Sequence, residues 1–194
     1  FDLIKTKKAI EEALDFLTES AKEGKVILFV GCKKQAKAKT EEVAKAVDCP
    51  FVVERWLGGT LSNFEQMAKS LKKLSDMKAK MANGEYVEFT KKERLLIDRE
   101  IARLERFFGG ISSLTKTPDV LIAVDTHKEF GAIKEATAMK IKTVGIVDSN
   151  TDPDMVDYAI PMNDDATRAI EYVLDLMGEA IKNGKAKYKT HQKA

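Results

Sequence analysis

The chain has 194 residues, 44% of them hydrophobic and 33% charged, the composition of a globular domain with one well-sized core and a heavily solvated surface. Its 33 basic and 31 acidic residues leave a net charge of only +2, so any nucleic-acid role must lie in how charge is distributed rather than in its total. No apolar run approaches the roughly 18 residues of a membrane span. Cys32 and Cys49 sit in apolar surroundings without C-x-x-C spacing and read as reduced core thiols. The chain opens on Phe1 rather than Met, so an N-terminal segment is expected to precede it.

In chain order, Ala9, Ile10, Ala13, Leu14, Leu17 and Ala21 fall on one face of a helix over 6–22, which Gly24 stops. Val26–Val30 is a continuous apolar run of strand length. Residues 36–47 form a short helix, and Phe51–Val53 a second strand. The decapeptide 55–64, RWLGGTLSNF, follows at a strand-to-helix turn. Its adjacent glycines Gly58 and Gly59 either take backbone angles closed to other residues or let something approach the backbone closely, whether packed protein or a phosphate-bearing ligand.

Residues 64–108 interrupt the alternation. Phe64, Met67, Leu71, Leu74 and Met81 form one apolar seam, and Ile97, Ile101, Leu104 and Phe108 another. Asn83-Gly84 marks a turn between them, and Thr90 to Glu93 reads as a capping box. The segment is predicted to be an inserted antiparallel helical hairpin (64–108), flanked by an α/β unit made of 1–63 and 109–194. Its outer faces are basic, which solvation alone also explains. Strand signals return at 119–124, 143–147 and 157–160. A last helix is predicted over about 164–182, with Asn163 as N-cap and Gly184 beyond its end. Strands apolar on both faces and alternating with helices indicate a buried parallel sheet. Five of them suit the doubly wound order 2-1-3-4-5.

Charge is unevenly placed. Residues 31–40 hold Lys33, Lys34, Lys37 and Lys39 with no acid, and 182–194 hold five lysines and His191 with no acid. Residues 143–167 hold six aspartates and no base. Basic segments of this kind attract phosphate backbones. Two other readings compete. One is a small-ligand enzyme with magnesium on Asp125, Asp148, Asp152 and Asp154, although Gly31-Cys32-Lys33-Lys34 is neither a dinucleotide fingerprint nor a P-loop and His127 near Asp125 is an unspecific pair. The other is a protein adaptor docking through the hairpin or the acidic stretch.

Several motifs carry a resemblance. They are Phe29-Val30-Gly31-x-Lys33-Lys34-Gln35-Ala36, Arg55-Trp56-Leu57-Gly58-Gly59-Thr60-Leu61-x-Asn63-Phe64, Gly109-Gly110-Ile111, Val147-Asp148-x-Asn150-x-Asp152-Pro153 and Ile160-Pro161-x-Asn163-Asp164-Asp165-Ala166. Over essentially the whole chain the sequence resembles the bacterial-type ribosomal protein S-two family, the second protein of the small ribosomal subunit. It departs from the family pattern in lacking the N-terminal segment, at His127 and at Lys142.

The resemblance implies a flavodoxin-like three-layer domain with an inserted hairpin and a non-enzymatic role without cofactor or metal. It also implies a place in the ribosome, cytoplasmic or organellar, with small-subunit ribosomal RNA and neighbouring proteins, ribosomal protein S-one among them, as partners. On this reading the RNA-binding residues are Lys33, Lys34, Lys37, Arg55, Gly58, Gly59, Thr60, Asn63, Lys92, Arg94, Arg99 and Arg103.

Overall fold

Alternate residues of each inner strand bury into opposite faces of one sheet. In β1 (Ile27–Val30), Ile27 and Phe29 enter one core while Leu28 and Val30 enter the other. β3 (Val120–Val124) sends Val120, Ile122 and Val124 to the first core, and Leu121 and Ala123 to the second. β4 (Lys142–Val147) gives Val144 and Ile146 to the first. A side-chain period of two with both sets apolar requires cover on both faces, which explains why these strands read as unbroken hydrophobic runs. With β2 (Phe51–Val52) and β5 (Tyr158–Pro161) the strands make a five-stranded parallel sheet of order β2-β1-β3-β4-β5, the order expected. The structure is a computed structural model and describes residues 1–191; Lys193 of the basic tail lies outside the described residues.

One face is covered by α1 (Leu3–Lys22), α2 (Lys34–Ala46) and α6 (Thr167–His191), through Leu17, Val43, Ile170, Met177 and Ile181. The other is covered by α5 (Phe130–Ala138), through Ala132, Ile133 and Ala136, and by Leu61, Met67 and Ile111 at the foot of the hairpin. The fold is therefore a three-layer doubly wound α/β domain of flavodoxin-like topology.

The last helix differs from expectation. It starts at Thr167 and runs through Gly184 to His191. Gly184 lies where α6 crosses α1, and a Cβ there would stand 2.6 Å from the Ala21 methyl. The glycine serves a close helix crossing and does not end the helix. Asn163 is not the N-cap; its side-chain oxygen accepts from the Asp165 N–H (2.8 Å) in a turn before α6.

The hairpin comprises α3 (Phe64–Ala82) and α4 (Lys91–Phe108). Gly84, at φ +74°, follows Asn83 at the end of α3, and the Glu85 N–H reaches back to the Lys80 carbonyl, the glycine-terminated form of helix stop. The capping box is formed: Thr90 Oγ1 accepts from the Glu93 N–H, and the Glu93 carboxylate accepts from the Thr90 N–H (2.9 Å). Met67, Leu74 and Leu104 are buried, and Phe64, Leu71 and Phe108 pack half-buried on the second core. At the far end Met81, Val87 and Phe89 are exposed. The base of the hairpin thus belongs to the core, and its tip does not.

Candidate nucleic-acid interface

In a sheet of this order, small ligands sit beyond the carboxyl ends of the central strands. Here that place is filled from within. Lys33, the residue before α2, turns its ammonium inward to Asp125 (3.2 Å), Asp164 (2.6 Å) and Asp165 (2.7 Å). Burial alone would lower its pKa, but the three carboxylates outweigh burial and raise it. Asp125 adopts φ +74° and accepts from the Lys128 N–H, closing the turn after β3. Glu129, buried in the same crevice, accepts from the Cys32 N–H (2.8 Å), and burial pushes its pKa up. Burial, aided by Glu129, pushes the Cys32 thiol up to about 12, so the thiol stays protonated and is no nucleophile. Asp148 accepts from the Ser149 and Asp164 N–H groups, and Asp152 from the Asp154 N–H. Among the described residues no group of three or more His, Cys, Asp or Glu is placed to hold a metal ion.

The Gly-Gly turn is also engaged from within. The Glu135 carboxylate, on α5, accepts from the Gly59, Leu61 and Ser62 N–H groups (2.8, 3.0 and 3.1 Å), from Trp56 Nε1 (3.1 Å) and from Ser62 Oγ (3.1 Å). Burial would raise the Glu135 pKa, yet these donors together hold it below the usual carboxylate range. Gly59, at φ +90°, has the backbone only glycine takes readily. Of the two occupants open at the sequence level, the turn holds packed protein: it is wound around an internal anion, with Trp56 folded against the second core. Thr60 is buried and donates its hydroxyl to the Leu57 carbonyl (2.5 Å). The polar groups of Lys33, Thr60 and the Gly59 N–H, three of the residues expected to bind RNA, thus have partners within the protein. Nothing local in the sequence singles out Glu135, since its partners lie more than seventy residues away.

Glu54, next to Arg55, ties three elements together. Its carboxylate takes Lys37 from α2 and the Arg106 guanidinium from the end of α4 (2.7 and 2.9 Å). The first turn of α2, the end of β2 and the base of the hairpin are therefore neighbours. Lys34 and Arg55 stand exposed there with no ion pair among the described residues. Neither Glu54 nor Arg106 is prominent in the sequence as a joint.

On α4, Lys92, Arg99, Arg103 and Arg106 recur at seven-, four- and three-residue steps. They share one exposed face, opposite the seam of Ile97, Ile101 and Leu104. The stripe runs about 21 Å from Lys92 near the tip to Arg106 at the base, at 1.5 Å per residue. Among the described residues Lys92 and Arg99 have no ion pair, whereas Arg103 pairs along its own helix with Glu100 (3.0 Å). Glu100 also takes Lys73 from α3 (2.9 Å). Leu95 and Leu96 lie on or beside the stripe, 49% and 54% exposed. Arg94 does not join it; that residue lies on the seam side at the tip, beside Tyr86, Val87 and Ile97. The structure therefore gathers Lys34, Lys37 and Arg55 at the hairpin base, extends Arg103, Arg99 and Lys92 outward along one helix face, and sets Arg94 apart.

This geometry accompanies a clear sequence relationship. Residues 1–184 match the family model for Ribosomal protein S2. The chain is 47% identical over 183 residues to the small ribosomal subunit protein uS2 of Amoebophilus asiaticus, covering 94% of this chain and 58% of that protein. It is 43% identical over 183 residues to uS2 of Porphyromonas gingivalis strain ATCC 33277, covering 94% of this chain and 65% of that protein. It thus spans less than two thirds of the length of these relatives. With its family model matched almost end to end and its doubly wound sheet interrupted by a helical hairpin, the chain belongs to the ribosomal protein S2 family.

Proposed function

We propose that this chain is a non-enzymatic structural constituent of the small ribosomal subunit, and that it binds small-subunit ribosomal RNA through cations displayed at the base and along the outer face of the hairpin. The observation that carries the reading is a division of labour among bases. Lys33 and Lys37 are consumed by internal carboxylates, while Lys34, Arg55, Lys92 and Arg99 are exposed without an ion pair among the described residues. Exposed cations along a rigid helix suit a phosphate backbone, whose neutralisation releases counterions. Helical RNA presents shape more than sequence, so most of the affinity is sequence-independent.

On this reading Lys34, Arg55, Lys92 and Arg99 meet phosphate, and the exposed Arg103 exchanges its Glu100 pair for one. Lys33 and Lys37 hold the first turn of α2 in place behind them. Gly58 and the Asn63 amide lie at the rim of the contact, Gly59 and Thr60 shape the turn, and Arg94 contributes from the tip. Neighbouring small-subunit proteins, ribosomal protein S-one among them, complete the set of partners, and the working location is the ribosome. The test is co-sedimentation with small subunits: the protein is expected in the subunit fraction at low salt and in the free fraction at high salt. Failure to co-sediment at low salt contradicts the reading.

A further inference from the structure

Two features that the fold leaves unexplained meet at one groove, and that groove points to a recognition element beyond phosphate contact. A cleft of about 150 Å³ lies between the Gly-Gly turn and the start of α3, lined by Gly58, Gly59, Asn63, Gln66, Met67 and Phe108 among others. Gly59 is glycine because its φ is positive, but Gly58 has no such constraint, and a Cβ built on it meets nothing within 4 Å. Neither backbone nor packing asks for glycine at 58; what the missing side chain provides is room at the lip of the groove.

Asn63 is the N-cap of α3, yet its amide makes no capping hydrogen bond. The amides of Asn63 and Gln66 are exposed and have no hydrogen-bond partner among the described residues. Asparagine at an N-cap normally accepts from the first turn, so this amide is free for something else. Met67 and Phe108 supply apolar surface beside the two amides. The volume is well below the roughly 300 Å³ where pockets for drug-sized ligands begin, which fits a ligand part no larger than one flat ring system.

We propose that this groove takes a single unpaired nucleobase of the bound RNA, with the Asn63 and Gln66 amides hydrogen-bonding its edge and Met67 and Phe108 against its face. Asparagine and glutamine amides pair with base edges, and single-stranded bases are the part of RNA that can be splayed into such a cleft. The inference rests on the RNA-binding reading and adds one base-specific contact to a surface otherwise recognised by charge.

The test has two arms. In the first, side-chain amide NMR signals of Asn63 and Gln66 are followed while the four nucleoside 5′-monophosphates are titrated in, with ribose 5-phosphate as control. Shifts caused by at least one base-bearing nucleotide and absent with the control are expected; no shifts, or equal shifts with ribose 5-phosphate, overturn the proposal. In the second, Gly58→Leu and the pair Asn63→Ala with Gln66→Ala are compared with wild type for binding to small-subunit ribosomal RNA across a salt series. Affinity should fall roughly tenfold with the salt slope unchanged, because a base contact is lost and no phosphate contact is. Unfolding by urea checks that each variant remains folded. Wild-type affinity in both folded variants overturns the proposal, as does loss confined to the binding of a neighbouring ribosomal protein. If wild-type protein does not bind the RNA at all, the fault lies with the RNA reading itself, which the first arm does not depend on.

Discussion

The crevice above the sheet and the outer face of α4 are both rich in charge, and they use it in opposite ways. In the crevice, Lys33 is enclosed by Asp125, Asp164 and Asp165, and Glu129 is held by the Cys32 N–H. On α4, Lys92 and Arg99 project from the helix with no ion pair among the described residues. The first arrangement closes the place where folds of this topology commonly hold a small ligand; the second leaves charge available to an outside partner. Burial of the pair, more than sign, separates Lys33, which builds this molecule, from the cations of α4 that face solvent.

The contrast is broken most directly at Lys33. Lys33→Ala leaves three carboxylates crowded together without their cation, and should cost about 3 kcal/mol in urea unfolding. Arg99→Ala should stay within about 0.5 kcal/mol of wild type in the same experiment. Equal losses from the two variants would erase the distinction.

Glu135→Ala comes next, with an expected loss of about 2 kcal/mol as the N–H groups of Gly59, Leu61 and Ser62 lose their acceptor. The pH dependence sharpens this. The folded Glu135 pKa lies below its ordinary value of 4.5, so its stabilisation is complete above that pH and is lost as pH falls toward the folded value. The stability gap between wild type and Glu135→Gln should therefore narrow as pH is lowered from 5 to 3, measured by urea unfolding at each pH. A gap constant across that range would show that the carboxylate charge is not what the turn requires.

These residues also mark where sequence reading stops. Strand order and the hairpin were legible because both rest on local periodicity: Ile27–Val30 and Val120–Val124 are apolar on every position, and Thr90 with Glu93 is a cap within one turn of chain. Glu135 is an ordinary acid in an amphipathic helix until the fold brings residues 56–62 around it. Lys33 looks like its neighbour Lys34, and only the chain's return at Asp164 draws it inward. Gly184 resembles a helix stop because the packing that requires it comes from Thr18, Ala21 and Lys22 of α1, at the other end of the chain. Local signals are readable from sequence; side-chain partners that lie far apart in the chain are not.

A smaller effect is expected at the hairpin tip. Thr90→Ala removes the capping oxygen of α4 and should cost about 1 kcal/mol. Because the tip is exposed and lightly packed, hydrogen exchange should rise over the first turn of α4 while the strands keep their protection. Uniform loss of protection across sheet and hairpin would mean that the tip is coupled to the core more tightly than its exposure implies.

The central claim is that the outer face of α4 holds a polyanion by charge, and a salt series measures it directly. The affinity of wild type and of a Lys92→Ala, Arg99→Ala, Arg103→Ala variant for small-subunit ribosomal RNA is plotted against salt on logarithmic axes. Each phosphate contact contributes about 0.7 to 0.9 to the slope, so the variant's slope should be shallower by about 2 to 2.7 at unchanged folding stability. A slope equal to that of wild type would place the RNA elsewhere and contradict the account.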